Sequence, residues 1–372
     1  MIAVLWALLT AGMCSVAAAE PAEAEPAEAE PATAEPAPEA KGEPFSAWVL
    51  RQHADVHPEP QYHFAAEVFH AIADAAAARP GVIEAQRLGE SLAHRPIWAF
   101  SVHDTAVPVR KRLLLIANIH AMEWIPTEDA LAFLLDYAAQ PEPGVEVVIV
   151  PILNPDGRAR VEADLVAGRN LYRRGNEAQV DLNRDWSVNR ESKAIWRHLI
   201  PGRYTTSPAA LSQPETRAID HLLRNAGDVP FSGFVSLHSF GGFIYYPWAG
   251  LFERAPDWRR MHAIAKTMHD GMGTHPYKPL QLSRWAFFFR GLGMEIDHVY
   301  GEFGIPAFLV ETTRSGIEGL PDLHTYFRWY NPREPARHVK MGLGMLRAWV
   351  TAEPLIQAMT REPLADLPGS TK

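Results

Sequence analysis

The sequence predicts a single α/β/α sandwich around a central, largely parallel sheet, and three observations lead there. Short aliphatic runs rich in β-branched residues alternate with longer stretches of helical spacing. The runs are continuously apolar, as strands buried on both faces require. Each run ends on polar residues able to do chemistry, which puts a site at the carboxyl edge of the sheet. At 372 residues and 47% hydrophobic content, the chain can bury a sizeable core.

Taken in order, the chain opens on an apolar stretch from Ile2 to Gly12, followed by Ala17-Ala18-Ala19. Residues 1–19 read as an export signal cleaved before Glu20, which implies a periplasmic or extracellular location. No Lys or Arg precedes the run, so an uncleaved anchor is the other reading, although the run is short for a spanning helix. The single cysteine, Cys14, lies in this segment. Met13 stands before it where a lipidation site calls for a small residue. The mature protein is therefore expected to have no cysteine, no disulfide and no stable membrane span. Residues 20–44 repeat EPAEA-like units and carry eight Glu and one Lys, the pattern of a self-repelling spacer. They hold −7 of the −9 formal net charge. The rest of the chain is near neutral, and no basic block points to nucleic acid.

The folded part is expected over residues 45–352, with a tail at 353–372. Leu113 to Ile119, Val145 to Leu153, Phe234 to Leu237 and Ala307 to Val310 are the expected strands. Thr127 to Ala139 has helical spacing. Ser212-Gln213-Pro214-Glu215 reads as a capping box opening another helix, with proline in its first turn. The first strand leads into His120, the second into Asn154-Pro155-Asp156-Gly157, the third into His238-Ser239, and the fourth into Glu311.

His120 and Glu123 stand three apart at a strand end, where a turn can aim both side chains at one point. With His238 from another strand they form a His₂Glu set that leaves one coordination position open for water, the donor set of a catalytic zinc. One zinc per chain is expected. Among 16 histidines the pair alone is a weak signal; its surroundings strengthen it.

Those surroundings resemble the zinc carboxypeptidase family of metallopeptidases. The pieces come in family order over roughly residues 60–350: NIHAMEW, NPDG, RGNEAQVDLNRDW, SQPETRAI, SLHS, and a strand ending in Glu311. The resemblance implies a mixed, largely parallel, twisted sheet with zinc at the carboxyl ends of its strands. It implies His120, Glu123 and His238 as zinc ligands, and Glu311 as the general base. Arg174 would steady the developing oxyanion, with the adjacent Arg173 open as the alternative. Asn183 and Arg184 would grip the substrate's terminal carboxylate. Asp181 would orient a zinc histidine, His120. The implied activity is hydrolysis of a C-terminal peptide bond, on peptides or cell-wall peptides.

Several positions depart from the family pattern. Met122 replaces an arginine. Asp185 replaces an asparagine and is expected to add negative charge near the substrate. The mobile lid tyrosine falls near Phe289, in a run of three phenylalanines, with Tyr277 and Tyr300 as weak substitutes. The pocket floor lies within Gly293 to Asp297: Met294 or Ile296 there would favour apolar residues, Glu295 or Asp297 basic ones. The RGNEAQVDLNRDW stretch, with its short approach to the arginine, also resembles that of murein peptide amidases. A non-catalytic zinc- or peptide-binding relative is the reading from another class, and the intact ligands and Glu311 count against it. Oligomeric state is left open.

Overall fold

The computed structural model describes residues 43–54 and 58–352. The expected signal (1–19), nearly all of the spacer, Cys14 and the tail (353–372) lie outside the described residues.

Among the described residues, eight strands form one mixed sheet: β1 (Ile83–Glu90), β2 (Pro96–Val102), β3 (Lys111–Ile116), β4 (Val145–Val150), β5 (Phe231–Ser239), β6 (Phe243–Tyr246), β7 (Lys278–Gln281) and β8 (Ala307–Thr312). Their spatial order is β1-β2-β4-β3-β5-β8-β6-β7. The strands read from the sequence, β3, β4, β5 and β8, are consecutive and parallel at the centre. Side chains of the central strands are buried almost throughout, because both faces are covered. An antiparallel hairpin, β1-β2, completes one side, and β6 runs antiparallel to β8 on the other.

The helices are α1 (Phe45–Val49), α2 (Ala65–Ala78), α3 (Ile125–Ala139), α4 (Pro155–Val166), α5 (Trp196–Leu199), α6 (Pro214–Arg224), α7 (Trp258–Gly271), α8 (Glu295–Phe303), α9 (Tyr326–Tyr330) and α10 (Ala336–Thr351). Helix α10 packs against α3 and α7 and meets one sheet face through Trp349, directly over Gly233 of β5. A side chain at Gly233 would strike Leu113 and crowd Trp349. Because side chains alternate along β5, His238 points to the opposite face, the face approached by α8.

Element ends differ from the sequence expectation for local reasons. Strand β3 stops at Ile116 because Asn118 adopts a left-handed conformation, φ 53°, that turns the chain. Strand β4 stops at Val150 because Pro151 has no N–H to continue the ladder. Strand β5 reaches Phe231–Ser239, longer than its apolar run, since its Gly and Ser residues hid its ends. The capping box does not form. Helix α6 has Gln213 as its N-cap with no side-chain cap, and Ser212 Oγ instead donates to Asp185 at 2.6 Å.

Candidate metal centre

The turn after β3 carries His120 and Glu123, and buried asparagines hold its shape. Asn118 Nδ2 donates to the carbonyls of His120 and Glu123, both at 3.0 Å. Asn331 Oδ1 accepts the N–H groups of Trp124 and Ile125 at 2.8 and 3.0 Å, while its Nδ2 donates to Met122 O. The NPDG stretch braces the same turn. Asn154 Oδ1 accepts Gly157 N–H at 2.9 Å and caps α4. Its Nδ2 reaches the carbonyls of Ile119 and Gly175, the neighbours of His120 and Arg174. A Cβ on Gly157 would collide with Asn154 and Ala121, so glycine is required for this close approach. Asn118 opens the NIHAMEW piece, which assigned it no role, and Asn331 carried no sequence signal, since no motif surrounds it.

His120, Glu123 and His238 converge as expected. One ligand atom from each lies within 4.8 Å of the others, and all three side chains are buried. His120 Nδ1 is 2.8 Å from Glu123 Oε1 and 3.2 Å from His238 Nδ1. His238 Nδ1 is 3.2 Å from Glu123 Oε2. Two imidazole nitrogens facing each other beside a carboxylate form a donor set that fits zinc, so the residues present suit the ion. Both rings turn Nδ1 inward. Their Nε2 atoms meet carboxylates outside: His120 meets Asp181 Oδ1 at 3.1 Å, and His238 meets Glu295 Oε1 at 2.8 Å.

Electrostatics follow from this packing. Burial alone would raise the Glu123 carboxyl, but His120 and His238 hold it well below the usual carboxylate range. Asp181 is likewise held low against its burial by Arg174 and His120. Burial opposes the charged form of His238, yet Glu295 and Glu123 raise it to about 10. Glu311 goes the other way. Burial first, and the charge of Glu123 second, push it up to about 8, with His238 and Arg174 pulling it partly back. Its Oε2 is buried without a hydrogen-bond partner.

Arg174, and not Arg173, is the arginine beside the triad. Arg174 Nε donates to Asp181 Oδ2 at 2.8 Å, and its Nη1 lies 3.6 Å from Glu123 Oε1. Arg173 turns away to Asp164. Asn183 Oδ1 accepts the backbone N–H of Glu295 at 3.1 Å, which orients the side-chain NH₂ away from α8. Arg184 donates to Asn183 O at 2.6 Å and forms no ion pair among the described residues. Asp185 has a structural task that the sequence expectation did not include. It is fully buried and accepts from Ser212 N and Oγ, Gln213 N and Thr216 Oγ1, anchoring the start of α6.

Tyr277 and Tyr300 do not replace the lid tyrosine. Tyr277 OH accepts Thr313 N–H, and Tyr300 OH is bound to Asp257. The phenols the sequence did not single out are Tyr172 and Tyr330. They lie 3.2 Å apart, close enough to Arg174 to feel its charge. In the floor segment, Asp297 is consumed by Ala249 N, Gly250 N and Asn189 Nδ2. Ile296 is fully buried, and Glu295 faces His238.

Comparison with known proteins agrees with this geometry. The family model described as zinc carboxypeptidase matches residues 69–328. Mouse carboxypeptidase A4 is 23% identical over 217 residues, covering 55% of this chain and 51% of that protein. Bovine carboxypeptidase A1 is 24% identical over 226 residues, with the same coverage of 55% and 51%. The chain thus spans about half the length of the curated relatives it matches. The structure of bovine thrombin-activatable fibrinolysis inhibitor, in complex with tick carboxypeptidase inhibitor, superposes with a TM-score of 0.61 at 19% identity. It covers 80% of this chain and 98% of that one, a likeness of fold. By the family match over residues 69–328, this chain belongs to the zinc carboxypeptidases.

Proposed function

We propose that the protein is an exported, zinc-dependent metallocarboxypeptidase that removes a C-terminal residue from peptides, with one zinc per chain held by His120, Glu123 and His238. The observation that supports this most is a buried His₂Glu set with Glu311 one strand away and with Arg184, which forms no ion pair among the described residues, within electrostatic reach of Asp181 and Glu295. Zinc, when bound, lowers the pKa of a coordinated water toward ~7 and polarises a carbonyl. Glu311 takes the proton of the attacking water and returns it to the leaving amine. Arg174, fixed by Asp181, stabilises the oxygen that gains negative charge. The NH₂ of Asn183 and the guanidinium of Arg184 bind the terminal carboxylate of the substrate. Asp181 accepts from His120 Nε2 and holds that ring in register.

The apolar segment at residues 1–19 supports export. A second reading, a murein peptide amidase on the same fold, is favoured by the ten-residue step from Arg174 to Arg184 within RGNEAQVDLNR. One experiment separates the readings. Zinc-loaded protein is given free-acid peptides, the same peptides amidated at the C-terminus, and murein fragments. Preference for free-acid peptides supports the carboxypeptidase, and turnover of murein fragments alone overturns it. No turnover of any of them by protein carrying one zinc would favour a non-catalytic relative.

A further inference from the structure

The structure assigns Glu295 as a positioning residue for the metal ligand His238, a second carboxylate–imidazole link matching that of Asp181 to His120. This rests on the zinc reading of the triad. The geometry carries it. Glu295 is fully buried in the first turn of α8, where a helix N-terminus favours negative charge. Its Oε1 lies 2.8 Å from His238 Nε2. A histidine that ligates through Nδ1 must keep its remaining proton on Nε2. A carboxylate at Nε2 can only accept, so it enforces that tautomer. Ser236 Oγ also lies 2.9 Å from the same nitrogen. A hydroxyl can donate as well as accept, and on its own it would equally support the wrong tautomer, with the proton on Nδ1 facing His120. Glu295 therefore decides what Ser236 leaves open.

The placement of Glu295 is itself determined. Its backbone N–H donates to Asn183 Oδ1 at 3.1 Å, and Asn183 sits two residues after Asp181. One short segment, Asp181 to Asn183, thus holds the outer side of His120 directly and that of His238 through Glu295. The two ligand rings are set by a single brace, and the metal centre is coupled to the residue proposed to bind the substrate's terminus.

The test measures zinc affinity by competition with a chelator of known affinity, on wild-type protein and on Glu295→Gln, Glu295→Asp and Ser236→Ala. Glu295→Gln should weaken zinc about 10- to 100-fold, the usual effect of losing such a partner. Glu295→Asp, with its carboxylate withdrawn by one methylene, should fall between Glu295→Gln and wild type. Ser236→Ala should weaken zinc far less than Glu295→Gln. Cobalt(II) loaded in place of zinc reports the ligand field directly, and its visible absorption should shift in Glu295→Gln. Circular dichroism of each metal-free variant checks the fold, and Glu295→Asp carries the test if Glu295→Gln fails it. Unchanged affinity and an unchanged cobalt spectrum would overturn the assignment. So would unchanged affinity with altered preference for a C-terminal lysine, which would move Glu295 to the substrate side. If wild-type protein takes up no zinc, the zinc reading fails as well, an outcome distinct from a variant that binds as wild type does.

Discussion

His238 of β5 and Glu311 of β8 are register partners on adjacent parallel strands. Paired residues of neighbouring strands project to the same face about 4.8 Å apart. A candidate metal ligand and a carboxylate whose buried Oε2 has no hydrogen-bond partner are thereby delivered side by side by the sheet itself, and no loop has to close to bring them together.

Glu311→Gln should keep its zinc and lose turnover by about 10²- to 10⁴-fold, the usual contribution of a general base. The base works ionised, so activity should be lost as pH falls. Burial and Glu123 push Glu311 up to about 8, and a dication at the triad pulls it back down. The acidic limb of kcat/KM should therefore lie above the ordinary carboxylate value of 4.5 but below about 8. A pH–rate profile with zinc content measured alongside checks both statements. Full activity in the glutamine variant would remove Glu311 from this role.

Arg174→Ala should lower kcat by about 10²- to 10³-fold with a smaller change in KM, because the guanidinium is needed where charge develops. Asp181 would lose its ion-pair partner, so part of the effect would be positional. Arg173→Ala is the control. Its side chain pairs with Asp164 away from the triad, and steady-state kinetics should show little change.

Arg184→Ala should cut kcat/KM on free-acid peptides by roughly 10- to 150-fold, the worth of about 1.5–3 kcal/mol for a hydrogen bond to a charged group. The same peptides with an amidated C-terminus should be affected far less. Arg184 forms no ion pair among the described residues and stands next to an asparagine whose oxygen is already spent on Glu295 N–H. Equal losses on both peptide series would argue against an exopeptidase.

The central sheet and the triad were legible in the sequence for the same reason. Parallel strands buried on both faces leave unbroken apolar runs, and their carboxyl ends stand out against those runs as polar interruptions. The positions of His120, His238 and Glu311 could be read off that way, while the roles expected of them came from the family resemblance. The edge strands were not legible: β1 mixes Arg87, Gly89 and Glu90 with few apolar residues because its outer side faces solvent. Glu295 was visible only as one of several floor candidates. Its partner His238 is 57 residues away, and no local pattern records that distance. The anchoring role of Asp185 was hidden for a related reason: the helix it anchors begins 29 residues later at Pro214.

Zinc uptake should release protons and strengthen as pH rises. In the metal-free protein Glu295 and Glu123 raise His238 to about 10, so near neutral pH the ring is protonated and must give up a proton to ligate. Apparent zinc affinity should then rise about tenfold per pH unit for one displaced proton, until pH passes the His238 value. Chelation should also lower Tm, by the free energy of the lost ion, and added zinc should restore it. Calorimetric titrations in buffers of different ionisation enthalpy count the protons. An affinity that is flat between pH 6 and pH 8 would contradict this electrostatic picture.

Asp129 in α3 gives a prediction independent of the catalytic centre. Its carboxyl is fully buried, and neither oxygen has a hydrogen-bond partner. Burial, then the neighbouring charge of Glu128, raise it well above the ordinary value. The folded state thus holds this proton while the unfolded chain releases it near pH 4. For an acid raised on folding, stability is greatest below the unfolded value and falls as pH climbs toward the folded one. Asp129→Asn keeps the shape and cannot ionise. Space is already tight, since Gly342 of α10 abuts this carboxylate, so a larger apolar residue would strain the α3–α10 contact. The asparagine variant should match wild type near pH 4 and be the more stable of the two at pH 8, each kcal/mol gained raising Tm by about 2–4 °C. Thermal unfolding at both pH values is the measurement. A variant destabilised equally at both would mean that Asp129 ionises in the folded protein and is paired there.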